Sequence, residues 1–371
     1  MADDYLIFTP DDVDLMRSPL RCGIDEPTFV LGAFNPGLTR MPSGNLLLMV
    51  RVAEALAEPE REGMVRAVRW TPQGYALDAW PRERVEMDDP RQFRIKGYAN
   101  PVLALTSLSW LLPVELTPDG REVVAIHYDR AIAPAASYQC YGVEDARISR
   151  IENRWYMTTC SVSPERLCST LYTSDDCIDW RLEGVVLDHQ NKDMILFEGK
   201  PGGHFMALTR PLGDVYFAYH PNSEWVAGPS IPLARSPDAL HWKPLNTPGI
   251  RARVGSDCSL RIGGGSPPVL TEEGWLMLYH GVEKQEAVGI YRTFWALLDR
   301  DDPSQILRLE DREPLLEADA ALCAPISARM YLPTPVVFTT GIVEDGDDWI
   351  VASGEADLAC RITRLPKGRF A

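Results

Sequence analysis

The sequence predicts an all-β protein, a five-bladed β-propeller, and three observations lead there. A polar or glycine turn followed by a strand-like apolar run occurs five times, at residues 45–51, 155–160, 204–210, 275–280 and 349–354. At about 74 residues per copy, each unit is long enough for a four-stranded blade. A second pattern, Ser-x-Asp-x-x-x-Trp, occurs at Ser174 to Trp180 and at Ser236 to Trp242, each in register with the first. Sustained 3.6-residue periodicity is scarce, and 27 Gly with 30 Pro cut the chain into short strands.

Taken along the chain, residues 1–30 precede the first copy and are expected to wrap around or close the ring. The run after Asn45 is a strand leading out of a Ser-Gly-Asn turn. Residues 54–71 are charged and Ala-rich, which predicts a loop or short helix on a rim, where insertions are tolerated. In the Ser-x-Asp pattern the Ser and Asp can hydrogen-bond their own backbone in a turn, and the Trp can begin the next strand and pack between blades. Apolar stretches such as Met-Ile-Leu-Phe197 and Pro-Val-Val-Phe338 lie just upstream of later copies. A ring of small stacked sheets escapes the size limit of a single core, so residues 1–371 are read as one domain.

The chain carries 37 basic and 53 acidic residues, a formal net charge of −16. That argues against nucleic acid, which requires a basic face, and against anionic membranes. A bound anion needs a local cluster of cations. Eight cysteines are scattered without a Cys-x-x-Cys pair, and Cys160 falls inside a strand pattern as a small apolar residue. The six histidines, at 127, 189, 204, 220, 241 and 280, form no ligand-spaced cluster, so no metal is expected. No signal peptide or membrane-length apolar run is apparent. A cytoplasmic setting follows as the expectation, and nothing in the sequence opposes a homo-oligomer. Gly263-Gly-Gly265 lacks the Lys-Ser/Thr of a phosphate-binding loop and reads as a tight turn.

In a propeller the innermost strands converge on a central channel. Ten residues upstream of three of the turns stand Asn35, Asp145 and Gly265, in polar or turn-forming segments. Asp145 is a candidate general acid, with Arg147 two residues on and on the same side of a strand to orient it. The bland alternative is a turn carboxylate paired with Arg147 at a blade edge. His280 ends a strand after Tyr279, and a structural histidine is the alternative there. Arg51 and Arg210 share one repeat offset, where a surface ion pair is the alternative. Lys192 and Lys200 flank an apolar run, and a pair between Glu198 and Lys200 would account for both.

These residues resemble glycoside hydrolase family 130, the mannoside phosphorylases and related β-mannosidases. The resemblance is carried by Phe34-Asn35-Pro36-Gly37, Gly142-Val-Glu-Asp-Ala-Arg147, Asn191-Lys-Asp193 with Lys200, Thr209-Arg-Pro211, Gly263-Gly-Gly-Ser-Pro-Pro268, Gly274-Trp-Leu-Met-Leu-Tyr-His-Gly-Val282 and the segment from Pro333 to Phe338. The sequence departs from the family pattern at Glu198-Gly199, Thr209, Thr339 and the segment around Gly354. The resemblance implies a five-bladed propeller with Asp145 as proton donor, acting through the sugar's 3-hydroxyl. It also implies inverting attack by inorganic phosphate, used as co-substrate with no cofactor. Arg51, Lys192, Arg210 and His280, with Tyr279 beside them, are the implied phosphate contacts, and Asp357 the implied sugar-holding aspartate. Asn35, Arg147 and Lys200 complete the expected substrate contacts.

Three readings follow. The favoured one is an inverting β-mannoside phosphorylase acting on a small oligosaccharide and releasing α-mannose 1-phosphate. An inverting β-mannosidase would instead need a carboxylate base about 6.5–9.5 Å from the acid, for which Glu54, Glu198 and Glu283 are the candidates. A non-catalytic carbohydrate-binding propeller would keep the fold and lose the acid.

Overall fold

In this computed structural model, residues 3–188, 190–213 and 215–370 are described, which leaves out His189 of the six histidines. The fold is all-β, and every helix among the described residues is a short 3-10 turn. Five antiparallel sheets follow one another along the chain. Sheet I comprises Thr28–Arg40, Leu46–Leu56, Ser107–Leu116 and Val123–Ile126. Sheet II comprises Val143–Ile151, Arg154–Val162, Leu167–Ser174 and Arg181–Leu187. Sheet III comprises Asn191–Leu196, Phe205–Pro211, Leu233–Ser236 and Lys243–Pro244. Sheet IV comprises Arg261–Gly264, Trp275–Glu283, Ile290–Leu298 and Ile306–Glu310, with Val269–Leu270 added to its second strand. Sheet V comprises Val337–Asp345, Asp348–Glu355 and Ala359–Pro366, and its fourth strand is the N-terminal Asp3–Phe8, paired antiparallel to Ala359–Pro366.

Each repeat turn opens the second strand of a sheet, and those strands are apolar at consecutive positions because both faces are buried. Leu46, Leu48 and Val50 face a core shared with Ile350 and Ala352 of sheet V, while Leu47 and Met49 face Val143 and Met157 of sheet II. The same alternation recurs in sheet IV. Met277 and Tyr279 pack against Ile195 and Leu208 of sheet III, and Leu276 and Leu278 against Val337 and Val351 of sheet V. Sheets II and III share a further core, with Leu171 against Met194 and Leu196. Each sheet is thus sandwiched between two others, which explains the near-continuous hydrophobic runs.

The first strands of the five sheets adjoin closely. The Ser149 hydroxyl donates to the Leu196 carbonyl at 2.8 Å, and the Thr340 hydroxyl to the Pro36 carbonyl at 2.6 Å. At Gly341 a Cβ would lie 2.4 Å from the Leu38 Cβ, so only glycine permits this approach between sheets V and I.

The Ser-x-Asp pattern forms the same turn twice. Asp176 accepts the amides of Ile178 and Asp179, and Asp238 those of Leu240 and His241. Ser174 and Ser236 each donate to their aspartate, while Trp180 and Trp242 pack onto the inter-sheet cores.

Residues 54–71 differ from the expectation of a loop or short helix. The strand Leu46–Leu56 runs on through Glu54, and Glu60–Arg61, Met64–Thr71 and Gly74–Pro81 form a three-stranded sheet. A second small sheet follows, Val85–Asp89, Gln92–Ile95 and Val102–Leu105. The two bury Val65, Ala67, Val85, Phe93, Ile95 and Ala104 in a core of their own. Val65 and Ala67 are the inward side of a period-2 alternation.

Candidate active site

Four of the first strands carry a bulge near a corresponding place, that of sheet V between Thr339 and Gly341, and in the other three it holds a left-handed residue. In those three the register shifts between Phe34 and Gly37, between Glu144 and Arg147, and between Lys192 and Ile195. Within these bulges Asn35, Asp145 and Asp193 adopt left-handed backbone, with φ of 47°, 54° and 52°. Asn and Asp tolerate that region better than other side chains, and bulges re-aim side chains beside active sites. Here they bring three polar groups into one cleft of about 810 Å³, lined also by Arg51, Glu144, Lys192, Arg210, Arg261 and Asp357. His280 lies behind it, fully buried, against Asp193.

Asp145 Oδ1 accepts from Asn35 Nδ2 and from Arg51 Nη1, both at 2.9 Å. Arg51 Nη2 reaches Glu144 Oε1 at 2.9 Å, and Lys192 Nζ holds Glu144 Oε2 at 3.1 Å. On the opposite side Asp193 meets Arg210 at 2.8 Å and Arg147 at 3.3 Å. Arg210 Nη1 lies 3.2 Å from His280 Nε2. Arg210 Nε is buried without a hydrogen-bond partner among the described residues. Gly263 makes room for this group: a Cβ there would stand 2.5 Å from His280 Cε1 and 2.7 Å from Asp193 Oδ2.

The electrostatics follow from burial and pairing. Burial would raise the Asp145 pKa, but Arg51, then Arg147 and Lys192, and the Asn35 hydrogen bond outweigh it and hold the carboxyl below the ordinary range. Burial likewise opposes ionisation of Asp193, and Arg210 leads the neighbours that keep it charged. His280 is pushed down to about 3, by burial first and by Arg210 and Arg147 against the pull of Asp193, so it is neutral at pH 7. Asp357 is raised by burial, with Arg91 and Arg51 opposing.

Arg51, Lys192, Arg210, Asn35, Asp145 and Asp357 all line the cleft. Arg147 does not. It is fully buried, donates to the Asp145 carbonyl at 2.6 Å and the Gly265 carbonyl at 3.1 Å, and so braces the Asp145 backbone rather than its carboxylate. Tyr279 corrects the expectation of a phosphate contact. Neighbours in a strand point to opposite faces, so Tyr279 lies in the core between sheets III and IV, where its hydroxyl donates to the Glu310 carbonyl at 2.6 Å. Lys200 also stands outside the cleft, paired with Glu152 at 3.0 Å and over the Phe205 ring. Among the described residues it pairs with neither Glu198 nor a cleft residue.

The three candidate bases are likewise placed elsewhere. Glu54 is buried and accepts from Ser18, Thr28 and Trp110, so its lone pairs are committed to structure. Glu198 accepts the Arg150 amide at 3.1 Å. Glu283 pairs with Arg292 at 2.9 Å near the surface. Asp193 and Glu144 also line the cleft, and the sequence patterns do not point to them. Asp193 stands eleven residues before His204, one off the ten-residue spacing that marks Asn35 and Asp145, because the 3-10 turn Pro201–Gly203 lengthens that connection. Among the described residues no three His, Cys, Asp or Glu side chains are placed to hold a metal ion, and no helix is long and apolar enough to cross a membrane.

The family model for glycoside hydrolase family 130, described as beta-1,4-mannooligosaccharide phosphorylase, matches residues 108–368. A beta-1,2-mannobiose phosphorylase of Listeria innocua serovar 6a is 30% identical over 360 residues, spanning 95% of this chain and 92% of that protein. A beta-1,2-mannobiose phosphorylase of Thermoanaerobacter sp. is 33% identical over 234 residues, 62% of this chain and 68% of its own length. Among solved structures, the Listeria innocua beta-1,2-mannobiose phosphorylase in complex with beta-1,2-mannobiose matches with a TM-score of 0.80 at 28% identity, over 99% of this chain and 98% of that one. The chain belongs to glycoside hydrolase family 130.

Proposed function

We propose that this member of the family is an inverting β-mannoside phosphorylase, which splits a short β-mannoside with inorganic phosphate into α-mannose 1-phosphate and a shortened sugar. The observation that carries the reading is the gathering of Arg51, Lys192 and Arg210 in one cleft around Asp145 and Asp193, with neutral His280 behind. Such an attack needs cations that hold and orient phosphate and offset its charge. Arg offers a planar fork to phosphate and Lys a point charge. Similarity to beta-1,2-mannobiose phosphorylases supports a β-1,2-linked substrate.

In this reading a phosphate oxygen attacks the anomeric carbon as the glycosidic bond breaks, and that bond's electron pair passes to the leaving oxygen. A proton from Asp145, relayed through the sugar's 3-hydroxyl, completes the new hydroxyl, and solvent returns a proton to Asp145. The carboxyl must first be protonated, although Arg51 and Lys192 favour its ionised form. Phosphate arriving at those two cations withdraws them from Asp145 and Glu144, which raises the Asp145 pKa at the step that needs the proton.

The five sheets sharing five cores are read as the blades of one five-bladed propeller, forming a single catalytic domain over the whole chain, with Asp3–Phe8 joining its last blade. Hydrolysis has less support. Glu54, Glu198 and Glu283 lie outside the cleft, and the cleft's Glu144 and Asp193 are bound to cations. The test is turnover of β-1,2- and β-1,4-mannobiose with and without inorganic phosphate. Mannose 1-phosphate formed only with phosphate is expected; free mannose released without it would overturn the reading.

A further inference from the structure

One wall of the cleft comes from the second small sheet, outside sheets I to V. The hairpin of Val85–Asp89 and Gln92–Ile95 turns through Pro90 and Arg91, and its tip lines the cleft with Asp89, Arg91 and Gln92. The tip is fastened to the residue that joins Val102–Leu105 to Ser107–Leu116: the Thr106 hydroxyl donates to the Pro90 carbonyl at 2.9 Å, and its amide to the Arg91 carbonyl at 3.1 Å. Asp89 fixes the Arg91 side chain. Its Oδ1 accepts from the Arg91 amide at 2.9 Å and from Nε at 3.0 Å, and its Oδ2 from Nη2 at 2.9 Å. Nη1, the third nitrogen of the fork, stands 3.8 Å from Asp357 Oδ2, too far for a hydrogen bond.

The backbone that carries Asp357 is fixed as well. Asp357 follows Ala356 in left-handed backbone, with φ of 58° and 49°, and the Tyr331 hydroxyl donates to the Asp357 carbonyl at 2.9 Å. The Ala356 amide is tied to the Val336 carbonyl at 2.8 Å. We infer that Arg91 and Asp357 together grip a hydroxyl of the mannoside, which makes Arg91, supplied by the small sheet, a specificity-determining residue. The inference rests on the mannoside reading above. A sugar hydroxyl donates and accepts at once, whereas a guanidinium only donates and a carboxylate only accepts. One oxygen can lie about 2.8 Å from both atoms when they stand this far apart. The grip needs little reordering, because Asp89 already holds the guanidinium. It selects sugar over phosphate, since the Asp89 and Asp357 carboxylates flank Arg91 and repel an anion.

The test is steady-state phosphorolysis of β-1,2-mannobiose by Arg91→Ala, varying each substrate in turn. Loss of one charge-assisted hydrogen bond raises the mannobiose KM about tenfold or more, with the phosphate KM within about twofold of wild type. An unchanged mannobiose KM, or an equal rise in both, would overturn the inference. If Arg91→Ala fails to fold, Asp89→Asn, which loosens the fork but leaves the cation, takes its place, with a smaller rise of the same selectivity expected. Wild type that turns over no β-mannoside would sink the function and not this inference. In that event titration of β-1,2-mannobiose into wild type and variant decides, and equal affinities refute the grip.

Discussion

In the proposed mechanism the cations that hold Asp145 ionised are those phosphate would claim, so its proton transfer would depend on their release. Asp145→Asn removes the proton while keeping the shape and the hydrogen bond to Asn35; we expect turnover to fall by about 10²–10⁴-fold, with mannobiose affinity retained in a direct titration. Arg210→Lys keeps a charge beside Asp193 but loses the planar fork and the unpaired Nε. It should raise the phosphate KM about tenfold and leave the mannobiose KM nearly unchanged. Glu198 concerns stability instead. Burial pushes its pKa from 4.5 to about 7, against the Arg150 amide and charge. Below pH 4.5 folded and unfolded chains both hold this proton; as pH rises towards 7 the unfolded chain releases it first, so stability falls across that window. Glu198→Gln should flatten that fall and be more stable at pH 8, by on the order of 1–2 kcal/mol given its partial exposure. Denaturant midpoints at pH 5 and pH 8 would show this, and a pH-independent difference would refute it.

At the scale of elements, patterns with a local physical cause were legible in the sequence. The Ser-x-Asp turns could be read because side chain and partner amides lie within three residues, and Asp176 does accept both amides. Asp176→Ala should therefore cost about 1 kcal/mol in denaturant unfolding, and the same change at Asp238 should destabilise in the same direction. The ten-residue spacing found Asn35 and Asp145 because equivalent bulges recur in equivalent strands. Less legible was anything that depends on which face a strand presents. Tyr279 and His280 are adjacent and so face opposite sides of the strand, yet only the packing of sheet III against sheet IV decides which one turns toward Asp193 behind the cleft. Residues 54–71 read as a rim loop because Glu58-Pro-Glu-Arg-Glu62 masks the alternation that begins at Val65. The reach of Arg91 into the cleft is a tertiary fact with no local signature.

At the scale of the whole molecule, the N-terminal strand adds to the sheet built by the end of the chain. Asp3–Phe8 runs antiparallel to Ala359–Pro366. Phe8 is fully buried in the core that sheets I and V share, and the Tyr5 hydroxyl donates to the Gly120 carbonyl at 3.0 Å, beside sheet I. Asp4 ties the strand down further by accepting from Arg361 at 3.0 Å. In a set of sheets each packed between two others, the contact between the first and last cannot be replaced from elsewhere. Deleting residues 1–8 would expose the outer edge of Ala359–Pro366, an unpaired strand edge open to aggregation, and uncover one side of Leu46, Ile350 and Ile362. Phe8→Ala removes only the packing and should cost about 3–5 kcal/mol, with turnover per folded molecule unchanged because Phe8 lies outside the cleft. The deletion should cost more than Phe8→Ala and make the protein aggregate on heating. Both effects are read by thermal unfolding with light scattering, alongside phosphorolysis at a temperature where each variant is folded. A deletion variant as stable as wild type would show that sheet V is complete without its fourth strand and that the ends of the chain need not be joined.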